Sequence, residues 1–207
     1  DPATGAIITP IYQTSTYVQK KPGDNMGFEY SRTKNPTRSA LENSIASIEN
    51  GKFAICYSSG MGAADAIMKL LKPNDVIISN NDIYGGSYRM FEQVFSNFKL
   101  KFQYTDLTSV NNLTNLITEK TKLIWIETPS NPLLEIIDIQ KIKKLIENRK
   151  DIIVVVDNTF ASPALQNPLN LGADIVLHSA PKYLGGHSDL ILGALITNNK
   201  TIYDQLF

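Results

Sequence analysis

Two residues carry most of the chemistry this sequence can do: a lysine in a loop of small residues and an aspartate closing a β-branched run. Lys182 lies in His178-Ser179-Ala180-Pro181-Lys182-Tyr183-Leu184-Gly185-Gly186-His187-Ser188-Asp189. The loop directly follows the apolar run Ala173-Asp174-Ile175-Val176-Leu177, which reads as a short buried strand. A lone lysine in a Gly/Ser loop is ordinarily a solvated surface charge. Held partly desolvated by a backbone folded closely around a ligand, it becomes a nucleophile that forms a Schiff base with an aldehyde. Upstream, Val154-Val155-Val156-Asp157-Asn158-Thr159 ends a buried strand in an acid. An aspartate so placed is the partner that the ring nitrogen of pyridoxal 5′-phosphate (PLP) requires. The pair, and neither residue alone, points to PLP chemistry.

The elements that must position this pair read as an alternation. Residues 1–36 carry Pro2, Pro10, Pro22, Gly5, Gly23 and Gly27 with little periodicity and are expected to form an extended arm that packs on a second subunit. The arm includes Tyr30-Ser31-Arg32, where the planar fork of Arg32 could bind an anion or simply face solvent. A helix is expected from Thr37, with Leu41, Ile45 and Ile48 on one face and Gly51 as its C-cap. Then come the strand Phe53–Tyr57, a tight turn Ser58-Ser59-Gly60-Met61-Gly62, and a helix from Ala63 to Leu71. Strand, glycine turn and helix N-terminus seat a phosphate on free backbone N–H groups, although many such turns bind nothing. Cys56 reads as a core thiol and not a nucleophile.

Further strands are expected at Asp75–Ser79, Lys99–Asp106, Leu123–Glu127 and Leu190–Ile196. Helices are expected through Phe95, over Val110–Ile117 and Ile139–Glu147, and from Asn198. Tyr84, in the loop after the Asp75–Ser79 strand, is placed to stack on a flat ring and relay protons. Asn131, in the Pro-rich loop after Glu127, could hold a ring oxygen or a substrate carboxylate, whereas Trp125 reads as core. Alternating strands and helices imply an α/β fold: a mostly parallel sheet sandwiched by helices, with ligands outside the strands' carboxyl ends. Gly60, Tyr84, Asn131, Asp157 and Lys182 all fall at or just after strand ends.

Bulk properties exclude other classes. The 207 residues carry 20 basic and 20 acidic side chains, so no charge footprint for nucleic acid or membrane is present. No apolar run approaches the roughly 18 residues that would span a bilayer. One cysteine and two histidines make a metal site unexpected, and the lone thiol points to a reducing, cytoplasmic compartment.

With these residues in hand, the sequence resembles the Cys/Met-metabolism PLP enzymes of fold type I, the family of cystathionine γ-lyase and γ-synthase. The resemblance runs from Pro10-Ile11-Tyr12 through Tyr30-Ser31-Arg32, Ser59-Gly60-Met61, Tyr84-Gly85-Gly86, Glu127-Thr128-Pro129-Ser130-Asn131-Pro132 and Val156-Asp157-Asn158-Thr159-Phe160 to the Lys182 loop. It implies Lys182 as the Schiff-base lysine, Asp157 on the pyridinium nitrogen and Tyr84 stacked on the ring. Asn131 would reach the ring hydroxyl or the substrate carboxylate, and Gly60, Met61 and Ser179 would hold the phosphate. Tyr30 and Arg32 would be lent across an interface to a neighbour's phosphate, in a homotetramer built as a dimer of dimers. Residues 37–207 would be the PLP-binding large domain.

The implied activity is γ-elimination from L-cystathionine, a small sulfur-containing amino acid, giving cysteine, 2-oxobutanoate and ammonia in trans-sulfuration. γ-Replacement on an O-acylhomoserine and a non-catalytic fragment are the alternatives. Gly86 stands where methionine γ-lyases carry a cysteine, which counts against that activity. Two departures stand out. Pro181 replaces a threonine whose hydroxyl would serve the phosphate, with an expected loss of about 1–2 kcal/mol. The sequence also stops at Phe207, before the small C-terminal domain that would supply a carboxylate-binding arginine, so a piece of a longer enzyme is expected.

Overall fold

The computed structural model describes Asp1 and residues 3–207; Pro2, one of the arm prolines, lies outside the described residues. Seven strands form one sheet: β1 (Phe53–Tyr57), β2 (Val76–Asn80), β3 (Lys101–Thr105), β4 (Thr121–Glu127), β5 (Ile153–Asp157), β6 (Ile175–Ser179) and β7 (Gly193–Thr197), in the order β1-β7-β6-β5-β4-β2-β3. Strand β7 alone runs against the other six, pairing antiparallel with both β1 and β6. The helices are α1 (Pro36–Ile48), α2 (Gly60–Met68), α3 (Gly85–Gln93), α4 (Val110–Thr114), α5 (Ile139–Leu145), α6 (Ser162–Leu165) and α7 (Lys200–Leu206).

Side chains alternate across each strand, so each strand feeds two apolar layers. Ile77, Leu123, Trp125, Val155, Ile175, Leu177 and Leu195 point to one face, where Ala63, Ala64, Ile67 and Met68 of α2 and Met90 and Phe91 of α3 cover them. Phe91 stacks on Phe102 and meets Trp125 edge-on. The intervening residues Ile78, Ile124, Ile126, Val154 and Val156 face Leu113 of α4 and Ile139 and Ile142 of α5. Ala54, Val176, Ala194 and Ile196 face Ile45 and Ala46 of α1. Both faces are covered, as continuous β-branched runs require.

Several expected boundaries move. Helix α1 begins one residue earlier, at Pro36, because the Asn35 side chain accepts the Thr37 N–H and a proline at the first position needs no N–H partner. Its buried face is Ile45 and Ala46, whereas Leu41 and Ile48 are exposed. Gly51 is not its left-handed cap: Asn50 takes positive φ (55°). Gly51 answers to packing instead, since a Cβ there would lie 2.3 Å from Ile196 Cγ2. Helix α2 starts three residues earlier than expected, at Gly60, because the Ser59 hydroxyl accepts the Gly62 N–H. The last strand starts at Gly193 and not Leu190, leaving residues 180–192 as a wide return from β6.

The described residues before α1 form turns and bends, with one isolated bridge between Thr16 and Tyr30 and another between Lys21 and Asp24. They attach to α1 through Thr37 and Asn35, which bond the Pro10 and Tyr12 carbonyls, and through Arg38, which donates to the Ser31 carbonyl. Ile7, Ile8, Ile11, Val18 and Met26 are exposed.

Candidate active site

Alternation carries three polar residues to the same face as the α2–α3 layer. Leu123, Trp125 and Glu127 share a parity, as do Val155 with Asp157 and Leu177 with Ser179. All three polar residues end their strands, so they line a cavity of about 320 Å³ at the carboxyl edge of the sheet. Gly60, Met61, Tyr84, Asn131 and Lys182 line the same cavity. The structure thus brings together seven of the nine residues singled out from sequence. Tyr30 and Arg32 are not among the lining residues: they sit on the arm, with the Arg32 guanidinium 5.2 Å from the centre of the Tyr30 ring.

The lysine loop is tightly wound. The Ala180 carbonyl accepts the Gly185 N–H at 2.7 Å and the Lys182 carbonyl accepts the Gly186 N–H at 2.8 Å. Gly186 has φ 74°, a conformation that excludes most side chains. Lys182 Nζ donates to Ser179 Oγ at 2.8 Å. Pro181 also lines the cavity and brings no N–H.

Asp157 is held by Thr159, whose N–H and hydroxyl both donate to Oδ1, at 3.0 and 2.5 Å. Among the described residues no donor reaches Oδ2. Burial pushes this carboxyl above the ordinary carboxylate range, against the Thr159 bonds and the nearby His178 and Lys182, which pull it down. Thr159 Oγ1 also accepts the Ser179 N–H at 2.9 Å, stitching the ends of β5 and β6 together.

The N-terminus of α2 closes one end of the cavity. The first-turn N–H groups of Gly60 and Met61 have no intrahelical partner, so they present a positive edge. A Cβ at Gly60 would lie 2.8 Å from Ser179 Cβ, so glycine is what lets helix and strand end meet. At the other end, Tyr84 precedes α3, with its ring folded over Gly86. Asn131 rides on a loop tied down by Asp82, whose Oδ2 accepts the Leu133 N–H at 2.9 Å and the Ser130 hydroxyl.

Sequence reasoning assigned no role to Glu127, Ser59 or Thr159. Glu127 carried the signal used for Asp157, an acid closing a buried strand, and the two stand opposite each other in register. Glu49 and His178 carried none. They form a fully buried pair on the sheet's other face, where Glu49 also accepts from Asn158 at 2.7 Å. Cys56 is half-buried in β1, and burial followed by the Glu42 charge pushes its thiol up to about 12.

This donor set fits pyridoxal phosphate at three separated points. Oδ2 of Asp157 is free for a cationic ring N–H, the α2 N-terminus for a phosphate, and the Lys182 amine for an aldehyde. The sequence profile of Cys/Met-metabolism PLP-dependent enzymes matches residues 1–207. The chain belongs to that family.

Members of the family are PLP-dependent. A cystathionine beta-lyase of Coxiella burnetii is 51% identical, over 100% of this chain and 54% of its own length. A cystathionine gamma-synthase of Mycobacterium leprae is 50% identical, over 100% and 53%. The crystal structure of cystathionine gamma-lyase from Lactobacillus plantarum complexed with L-serine superposes with a TM-score of 0.96 at 45% identity, covering 100% of this chain and 54% of that one. The chain therefore spans about half the length of these relatives. No helix among the described residues is long and apolar enough to cross a membrane.

Proposed function

We propose that this chain forms the cofactor-holding part of a cystathionine γ-lyase. The observation that carries the reading is the convergence of Lys182, Asp157, Tyr84 and the α2 N-terminus on one cavity. When bound, pyridoxal phosphate supplies an electrophilic aldehyde and a cationic ring that takes up electrons from the carbon bearing the substrate amine.

The chain's own residues do the rest. Asp157 Oδ2 keeps a proton on the ring nitrogen. The Gly60 and Met61 N–H groups and the Ser179 hydroxyl hold the phosphate. Tyr84 covers one face of the ring and excludes water, and Asn131 holds either the ring hydroxyl or the substrate carboxylate. Lys182 Nζ would take the substrate's Cα proton and then move a Cβ proton. The Tyr84 hydroxyl hands a proton to the departing γ-thiolate. Tyr30 and Arg32, which do not line this cavity, serve the phosphate of a neighbouring subunit, and the exposed isoleucines of the arm are covered there. The cytoplasm is the compartment this chemistry suits.

The 50% identity to a γ-synthase supports a second reading, γ-replacement by cysteine on an O-acylhomoserine. Assay of the intact protein separates the two. Release of 2-oxobutanoate from cystathionine is expected, whereas cystathionine formation would favour the synthase and pyruvate release a β-lyase. In either reading, borohydride fixes cofactor on Lys182, and Lys182→Ala abolishes both turnover and label. Full turnover by that variant would refute the mechanism.

A further inference from the structure

Glu127 is buried at the last position of β4, with no cation among the described residues bonded to its carboxylate. Its main chain is gripped by the Asn80 side chain, which accepts the Glu127 N–H at 3.0 Å and donates to its carbonyl at 3.4 Å. Its carboxylate accepts the Tyr84 backbone N–H at 2.9 Å, at the start of α3, where no side chain of that helix caps the end. The Asn131 backbone N–H lies near it and favours its charged form. Across the β4–β5 ladder it stands directly opposite Asp157.

One carboxylate therefore bonds the backbone of Tyr84, lies near that of Asn131 and neighbours the residue that would hold a ring nitrogen. We propose that Glu127 is a positioning residue that ties the Tyr84 and Asn131 backbones to the Asp157 strand end, so that a cation arriving at Asp157 tightens the walls around itself. The inference rests on the cofactor reading of this cavity and not on which sulfur chemistry follows.

The groups facing Glu127 are Asp157 from β5 and Asp82 from the β2–α3 loop, both anionic when ionised, with Lys182 across the cavity beside Asp157. Burial and then the Asp157 charge push Glu127 up to about 8, against the Tyr84 hydrogen bond and the nearby Asn131 N–H. With Glu127 pushed up to about 8, the carboxyl pair holds a proton at neutral pH before any cation reaches Asp157. A cationic ring beside Asp157 favours loss of that proton, and an ionised Glu127 accepts from the Tyr84 and Asn131 N–H groups more strongly.

The test uses the intact protein as wild type, Glu127→Gln and Glu127→Ala, titrated with pyridoxal phosphate at pH 7 and pH 9. Fluorescence reads the dissociation constant and visible circular dichroism reads the orientation of the bound cofactor. Glu127→Gln keeps an acceptor but no charge, so its Kd relative to wild type should stay within about threefold at pH 7 and rise to about tenfold at pH 9. Comparison as a ratio cancels pH effects that both proteins share. Glu127→Ala should bind about tenfold more weakly at both pH values, with a diminished dichroic band. A pH-independent Glu127→Gln ratio, or a wild-type band and Kd in Glu127→Ala, would overturn the proposal. Absence of binding by the wild type would overturn the cofactor reading, and this inference with it.

Discussion

Replacing Thr159 by valine keeps the side chain's shape and removes one hydroxyl that does two jobs. That hydroxyl donates to Asp157 Oδ1 and accepts the Ser179 N–H. Loss of a hydrogen bond to a charged group costs about 1.5–3 kcal/mol, and an orphaned buried N–H about 1–3 kcal/mol. The sum, roughly 2.5–6 kcal/mol, is a large share of the ~5–15 kcal/mol that holds a domain together.

The two parts separate by pH. The fold already holds the Asp157 proton more tightly than the unfolded chain does. That contribution is complete below the unfolded value and is lost as pH rises through the folded one. Removing the Thr159 donor lifts the folded value further, so the variant loses more stability than wild type as pH rises through the folded value, a comparison made at pH 5 and pH 8. Urea unfolding at the two pH values should show a larger gap at pH 8, and cofactor affinity at pH 8 should fall at least about tenfold. A gap under about 0.5 kcal/mol at both pH values with unchanged affinity would refute the assignment of Thr159 as the clamp on Asp157.

Gly193→Ala should strike the phosphate end of the cavity from behind. Its Cβ would lie 2.0 Å from the Ser59 carbonyl oxygen and 2.8 Å from the Gly60 nitrogen, both backbone atoms with little room to yield. A destabilisation of at least about 1–3 kcal/mol in urea is expected, with pyridoxal phosphate losing more affinity than phosphate-free pyridoxal; equal losses would count against a phosphate seat on α2. Cys56, pushed up to about 12, should have only about one thiolate in ten thousand at pH 8. Its reaction with an aromatic disulfide should be slow in the native protein and fast in urea, and fast native labelling would contradict the burial of this thiol.

The legible parts of the site were those with local signals. Apolar runs ending in an acid, a Gly-rich turn before a helix and a lysine in a small-residue loop placed Asp157, Gly60 and Lys182 at strand ends. Glu127 carried the same signal as Asp157 and went unassigned, because a terminal acid on one strand says nothing until its neighbour in the sheet is known. The face of α1 was misread because Leu41 and Ile48 are apolar yet exposed, while Glu49 at the helix end is fully buried. That burial depends on His178 and Asn158, 129 and 109 residues away.

The sequence by itself determined the alternation of strands and helices, because the spacing of apolar side chains sets which segments have a face to bury. It also placed the ends of β1, β4 and β5 at Tyr57, Glu127 and Asp157, and hence the carboxyl edge where ligands bind, while β2, β3, β6 and β7 end one or two residues from their expected positions. Strand order and direction belong to the tertiary structure. Only there does the return of residues 180–192 lay β7 antiparallel beside β6, and only there does register set Glu127 against Asp157. The physical reason is range. Periodicity and turn chemistry act within a few residues, whereas desolvation and charge coupling at the cavity depend on groups that the chain brings together only by folding.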